Sequence, residues 1–241
     1  MKASPSDQQA ILEIQKLDDQ LVSLHQREEK LPETIALNST IIKRNNFRDL
    51  RIAAETELTD VKRELLRAEA DVEQIVTRIT RDETRLASGT GSPKELEQTQ
   101  HELVTLGARR AELEEAELAI MVNVEAINAR ISELSAEEAR LNSEIAQLEV
   151  AQKSALDAIS TERDSVNSQR ASISAPISEE LMKLYLKLAS DNNGNGAAIL
   201  VGNECKGCHL TINTTEVNRI ASLPADEVVR CEQCRCILVR G

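Results

Sequence analysis

Five cysteines lie between residues 205 and 236, and four of them form two CxxC elements, Cys205-Lys206-Gly207-Cys208 and Cys231-Glu232-Gln233-Cys234, separated by 22 residues. Each CxxC turn presents two thiolates to one metal ion. Two such turns complete a closed tetrahedron of sulfur that suits Zn²⁺ and leaves no coordination position for a substrate. The predicted metal ligands are therefore Cys205, Cys208, Cys231 and Cys234. Short β-prone runs surround the turns, Ala197 to Val201, Leu210 to Ile212, Val228 to Arg230 and Ile237 to Val239, which is the arrangement of a zinc ribbon. So small an apolar core predicts a module that depends on its metal for folding.

Three other chemistries compete for these residues. Cys205-Lys206-Gly207-Cys208-His209 fits the C-x-x-C-H pattern of covalent haem attachment, but that chemistry belongs to exported proteins and would leave the second CxxC without a role. A CxxC near a βαβ pattern can run thiol–disulfide exchange, and no such pattern is present. The same four thiolates could hold iron, which metal analysis distinguishes. Cys236, the odd thiol, is expected to be a small residue on a ribbon strand, and His209 a neighbour that hydrogen-bonds near the cluster.

The elements that must carry this module are helical. From Leu96 to Ile173, positions spaced alternately by three and four residues are mostly apolar, among them Leu103, Leu106, Leu113, Ile120, Ile127, Leu141, Ile145, Ile159 and Val166. Eleven successive heptads without a slip define a coiled-coil seam in a helix roughly 115 Å long. Its polar members Arg110, Glu117, Glu138, Gln152 and Glu162 are expected to be tolerated exceptions near solvent. The preceding arm shows the same spacing in two blocks, from Ile14 to Ile35 and from Leu58 to Leu86. The register shifts between them, and Pro32, Asn38, Asn45 and Asn46 predict a kink or interrupted helix within residues 30–47.

Residues 87–93, Ala-Ser-Gly-Thr-Gly-Ser-Pro, form the predicted hairpin tip, with glycines closing one helix and a capping box of Ser92 and Glu95 opening the next around Pro93. Residues whose numbers sum to about 182 should then face each other, Ile79 near Leu103, Leu58 near Val124 and Ile14 near Gln169. The fold class is mainly α: a long antiparallel coiled-coil hairpin over residues 1–175, a linking amphipathic helix over 176–190 and a small β-rich, four-cysteine zinc ribbon over 191–241. The intramolecular seam needs no second chain, so a monomeric hairpin is favoured.

Composition supports this division. The 241 residues include no Trp, one Tyr and one Phe, too few aromatics for a large globular core. The longest apolar runs, Leu118 to Val122 and Ala197 to Val201, are far too short for a signal-peptide core or a membrane span. The expected location is the cytoplasm, where an odd set of clustered cysteines serves as metal ligands rather than disulfides. Net charge is −12, of which residues 1–190 contribute −11 and residues 191–241 only −1. The acidity therefore belongs to the helices.

These features resemble a bacterial family, long labelled a domain of unknown function, in which a coiled-coil hairpin precedes a C-terminal four-cysteine zinc ribbon. The resemblance covers the whole chain. Its most specific marks are the tip Ser92-Pro93-Lys94-Glu95-Leu96 leading to His101-Glu102, the segment from Pro176 to Tyr185, and the two knuckles, the second running into Ile237-Leu238. The family pattern has Gly then Arg directly after the last cysteine, where Arg235 and Cys236 stand here. The resemblance implies a nucleic-acid-binding zinc ribbon. Described relatives look like adaptors that associate with an alternative sigma factor, messenger RNA or secretion machinery.

An enzyme needs converging acid, base or nucleophile groups, and the sequence offers neither a Gly-rich phosphate loop nor a Ser/His/Asp set. The predicted function is non-enzymatic and regulatory, binding nucleic acid (RNA or DNA) through Lys206, Arg230, Arg235 and Arg240, which cluster around the knuckles and can contact phosphates. A ribbon charge of −1 and the lack of aromatics for stacking weigh against it. The alternative is a protein–protein adaptor in which the coiled coil engages transcription or secretion machinery.

Overall fold

The computed structural model describes residues 1–240. Its first helix, α1 (Pro5–Glu29), starts where Ser4 Oγ accepts the Asp7 N–H at 3.1 Å, with Pro5 at the first helical position. It stops at Lys30, because the residue before Pro32 is disfavoured in the α region. The second helix, α2 (Pro32–Ala87), then runs without interruption. The expected break is thus confined to Lys30 and Leu31, and Asn38, Asn45 and Asn46 sit inside a continuous helix.

The break also resets the seam. Ile35, expected to lie in it, is 63% exposed, and the buried positions that follow are Leu37 and Thr40. From Leu37 the alternation of three and four passes through Arg44, Phe47 and Arg51 to Ala54 and joins the run from Leu58 to Leu86.

The third helix, α3 (Pro93–Ser174), is 82 residues long. Its buried residues are Thr99, Leu106, Ile127, Leu141, Ile145, Ile159 and Val166, all at positions that the heptad spacing predicts. Between α2 and α3, Gly89 and Gly91 adopt φ of 63° and 141°, and the capping box closes as expected. The Ser92 N–H donates to Glu95 Oε2 at 2.8 Å and the Glu95 N–H to Ser92 Oγ at 3.4 Å. The Ser92 backbone donor, followed by its hydroxyl, holds the Glu95 carboxyl below its ordinary range.

Three of the five polar seam residues reach across the hairpin, Glu138 and Gln152 at part-buried positions and Glu162 near solvent as expected. Glu138 Oε2 accepts from Arg51 Nε at 2.8 Å, Gln152 donates to Thr34 at 2.7 Å, and Glu162 accepts from Arg27 at 3.0 Å. Arg110 instead pairs along its own helix with Glu114. Arg51 finds its partner at Glu138, where residue counting points to about 131. Side chains on each helix lean over the turn N-terminal to their own Cα. In an antiparallel pair the two leanings add, which displaces side-chain contacts by up to a turn on each helix. Ile14, expected opposite Gln169, packs instead in a cluster with Ile177, Leu181 and Tyr185.

Helix α4 (Glu179–Asp191) buries Leu181, Tyr185 and Leu188 in this cluster, together with Ile11 of α1 and Ala197 of the sheet. The sheet has the order β2-β1-β4-β3, formed by β1 (Ala197–Val201), β2 (Glu204–Cys205), β3 (Val229–Arg230) and β4 (Ile237–Arg240). Strand β1 pairs antiparallel with β2 and parallel with β4, which pairs antiparallel with β3. Residues 210–212, expected as a strand, contribute one bridge from Thr211 to Glu204. They lead into an unanticipated helix, α5 (Thr214–Ser222), capped by Asn213 Oδ1 on the Thr215 N–H.

The chain divides into two compact units, residues 1–35 with 149–241 and residues 36–148. In the first, the N-terminus is part of the ribbon's surroundings. The Ala3 N–H donates to Asp226 O at 2.8 Å and the Val228 N–H to Met1 O at 3.1 Å. Buried Gln15 of α1 accepts the Gly196 and Ala197 N–H groups at 2.8 and 3.1 Å and donates to Gly194 O. One carboxamide thus satisfies the backbone that enters β1. Among the described residues no helix is long and apolar enough to cross a membrane.

Candidate metal centre

The two CxxC elements fold into near-identical knuckles. In the first, the His209 N–H donates to Cys205 O at 2.8 Å and the Cys205 N–H to Leu210 O at 3.1 Å. In the second, the Arg235 N–H donates to Cys231 O at 2.9 Å and the Cys231 N–H to Cys236 O at 3.0 Å. The residue after each second cysteine is left-handed, His209 with φ 59° and Arg235 with φ 64°. This conformation turns the chain back so that both thiols of a knuckle face the same point. Gly207 is required in the first knuckle, because a Cβ there would stand 2.8 Å from the Asn195 carboxamide and 2.9 Å from Ala198. Asn195 Nδ2 also donates to Gly207 O at 2.7 Å, which fixes the turn.

The Sγ atoms of Cys205, Cys208, Cys231 and Cys234 all lie within 4.8 Å of one another. The Cys205–Cys234 and Cys208–Cys231 separations are 3.9 Å. A tetrahedron with zinc–sulfur bonds of about 2.3 Å has edges of about 3.8 Å, so the donor set fits zinc in both chemistry and size. Burial pushes the Cys231 thiol up to about 12 and raises Cys208 as well. Such thiols do not ionise together unaided. A dication supplies the opposing charge that turns them into thiolates.

Cys236 is the second knuckle's counterpart of Leu210. It is fully buried, with Sγ 3.2 Å from that of Cys234 and 3.8 Å from that of Cys205. It belongs to the apolar cluster of Ala198, Ile212, Ile220 and Leu238, but it lies one residue before β4 rather than on a strand, in the turn that closes the second knuckle. His209 lies beside Glu204, Nδ1 to Oε1 3.5 Å, with its side chain largely in solvent.

The four basic residues singled out by sequence occupy different situations. Arg230 and Arg235 are exposed, and among the described residues neither has an ion-pair partner. Lys206 is exposed and pairs with Glu204 at 2.8 Å, a contact that holds the Glu204 carboxyl below its ordinary range. Arg240 is committed elsewhere. Its guanidinium donates to the carbonyls of Ile220, Leu223, Pro224, Ala225 and Glu227 at 2.8 to 3.2 Å, closing the C-terminal end of α5 and the loop after it. The sequence carried no signal for this role, which exists only once α5 brings those carbonyls together.

Known proteins share this architecture. The CT398-like coiled coil hairpin domain matches residues 14–193, and the C4-type zinc ribbon domain matches residues 205–238. An uncharacterized protein of Mycobacterium tuberculosis is 34% identical over all of this chain and 98% of its own length. A second, from Mycobacterium leprae, is 27% identical over 89% of this chain and 92% of its own. A structure from Mycobacterium smegmatis superposes with a TM-score of 0.88 at 30% identity, covering 100% of both chains. That of CT398 from Chlamydia trachomatis does so with a TM-score of 0.72 at 20% identity, covering 98% of both, a likeness of fold. Neither matching domain is of a kind typical of enzymes. The chain belongs to the family of the CT398-like coiled coil hairpin, which here precedes a C4-type zinc ribbon.

Proposed function

We propose that this is a non-enzymatic protein in which one Zn²⁺, held by Cys205, Cys208, Cys231 and Cys234, organises a ribbon that binds single-stranded nucleic acid. The observation that carries the reading is the placement of Arg230 and Arg235. Both are exposed next to the second knuckle and, among the described residues, neither is neutralised by a carboxylate, whereas nearby Arg219 is paired with Glu216. Lys206 adds a third cation whose surface pair with Glu204 is weak enough to exchange for phosphate. The four thiolates leave no position on the metal for a substrate, so its work is to hold the knuckles.

Because the helical part of the chain carries most of the −12 charge, affinity should be modest and strongly dependent on salt. The three ribbon cations by themselves contribute about −2 to the salt slope for a single strand, at about −0.7 per contact. Binding of a labelled single-stranded RNA to the zinc-loaded full chain, measured by anisotropy across salt concentrations, tests this. Joint replacement of Lys206, Arg230 and Arg235 by Ala should abolish binding with zinc content unchanged. Undiminished binding by that variant would sink the assignment.

A second reading, a protein adaptor, is favoured by one feature of the coil. Leu118 and Val122 of α3 are 60% and 65% exposed and lie one turn apart, off the seam. Co-purification of a protein partner that is lost on Leu118→Glu, with no RNA binding by the native chain, would replace the first reading by this one.

A further inference from the structure

A cleft of about 400 Å³ opens between α1 and the first knuckle, apart from the second-knuckle arginines on which the function above rests. Leu12 and Ile199 supply apolar walls, Lys16 of α1 and Lys206 of the knuckle supply cations, and Asp19 and Asn193 supply polar groups, with His209 also at the cleft. Its volume falls within the range of small-molecule sites, about 300 to 1,000 Å³. Neither cation is tied down. Lys16 pairs with Glu13 at 2.6 Å and Lys206 with Glu204 at 2.8 Å, both exposed surface pairs that a phosphate oxygen can displace.

His209 bears on what the cleft can hold. Its left-handed backbone is set by the knuckle's hydrogen bond to Cys205 O, and its side chain is 73% exposed. The chain contains no Trp, and its single Tyr is fully buried. His209 is thus the flat ring that this region offers for stacking on a base. An aliphatic ligand would leave two lysines without a use, and a free inorganic phosphate would leave the apolar walls and the ring without one. A ligand with a flat heterocycle and a phosphate on each side uses all of them.

We propose that this cleft is a nucleotide subsite. It holds one nucleotide of a strand, with the base against His209 and Ile199, the polar edge towards Asp19 and Asn193, and the flanking phosphates on Lys16 and Lys206. The proposal rests on the nucleic-acid reading above and extends the interface from the ribbon onto α1, so that a strand would touch both parts of this unit.

The test uses the zinc-loaded full chain and a labelled single-stranded RNA of about 12 nucleotides, enough for one small domain's site of about 4 to 16. His209→Asn keeps a residue that tolerates the left-handed backbone but removes the ring, and should weaken binding by about 5- to 150-fold, the range for one lost base stack. Lys16→Gln should weaken binding several-fold and reduce the salt slope by about 0.7, whereas Lys16→Arg should restore it. A merely structural role for Lys16 would not move that slope. Zinc content, measured in parallel, should stay at one ion per chain for all three variants. If the native chain binds RNA and both His209→Asn and Lys16→Gln bind equally well, the cleft is not a subsite and the ribbon surface stands alone. If the native chain binds no RNA, the nucleic-acid reading falls and the subsite with it.

Discussion

The coil and the ribbon hold chain segments together by opposite means. In residues 36–148 the work is spread along a repeating seam whose residues are mostly half-buried, Leu37, Ala54, Val61, Leu106, Ile127, Leu141 and Ile145 being its well-buried apolar members. In the ribbon, the two knuckles meet at a single point where four sulfurs lie within 4.8 Å. Loss of one seam residue removes one contact among many, whereas loss of one thiolate removes the centre. The molecule should therefore tolerate single changes along the seam far better than at the knuckles.

The largest effect should come from the metal. Structural zinc contributes about 10 to 16 kcal/mol of apparent binding energy, which in a small module is folding energy. Chelation or Cys231→Ser should therefore unfold β1 to β4. The consequence should spread to the start of α1, because Met1, Ala3, Gln8 and Gln15 bond to the backbone of residues 194–197 and 225–228. Hydrogen exchange should rise sharply in residues 1–15 and 197–240 and stay unchanged in 36–148. Accelerated exchange along the coil would show that the two means of support are not separate.

The converse perturbation is Leu141→Ala, at a fully buried seam position. Removing such a side chain costs about 2 to 5 kcal/mol, less where the site can collapse. Exchange should accelerate within residues 36–148, and zinc should remain bound at one per chain. A smaller effect, about 2 kcal/mol, is expected for Gln15→Ala, which leaves the Gly196 and Ala197 N–H groups without their acceptor. It should lower the midpoint of ribbon unfolding, read by zinc release in urea, and leave the coil's transition in place. An unshifted midpoint would mean that another acceptor replaces the carboxamide.

The seam of α3, the tip and the four thiols were legible because each is written in local spacing. Heptads, a capping box and CxxC need only a few residues of context. The portion of α2 from Thr40 to Arg51 was not legible, because Thr40, Arg44 and Arg51 hold seam positions that an apolar template rejects. Arg44 and Arg51 are satisfied there by Asn142 and Glu138 of the opposite helix. Helix α5 was missed because its apolar content amounts to Val217, Ile220 and Ala221 over nine residues beginning with two threonines. Arg240 read as a free cation because its carbonyl partners, 13 to 20 residues earlier, converge only in the folded chain. For Arg44, Arg51 and Arg240, what sequence spacing could not show was a polar group satisfied at long range.

The smallest effect separates stability from function within one residue. Arg235 adopts φ 64° in the second knuckle, a conformation that costs a residue with a Cβ about 1 to 2 kcal/mol and that glycine adopts freely. Its N–H bond to Cys231 O at 2.9 Å needs that backbone geometry but not its side chain. Glycine gives back part of the gain through its larger unfolded-state entropy. Arg235→Gly should therefore stabilise the zinc-bound ribbon by no more than about 1 kcal/mol, seen as a higher urea midpoint for zinc release. The same change deletes an exposed cation that has no ion-pair partner among the described residues, and should weaken RNA binding with a reduction of about 0.7 in salt slope. Arg235→Ala keeps the strain and removes the charge, so it should weaken binding equally without the gain in midpoint. A ribbon that gains stability and loses affinity on the first change, but only loses affinity on the second, would show that arginine stands at this strained position for what it binds. Equal RNA affinity in all three proteins would leave the strain at Arg235 without a use.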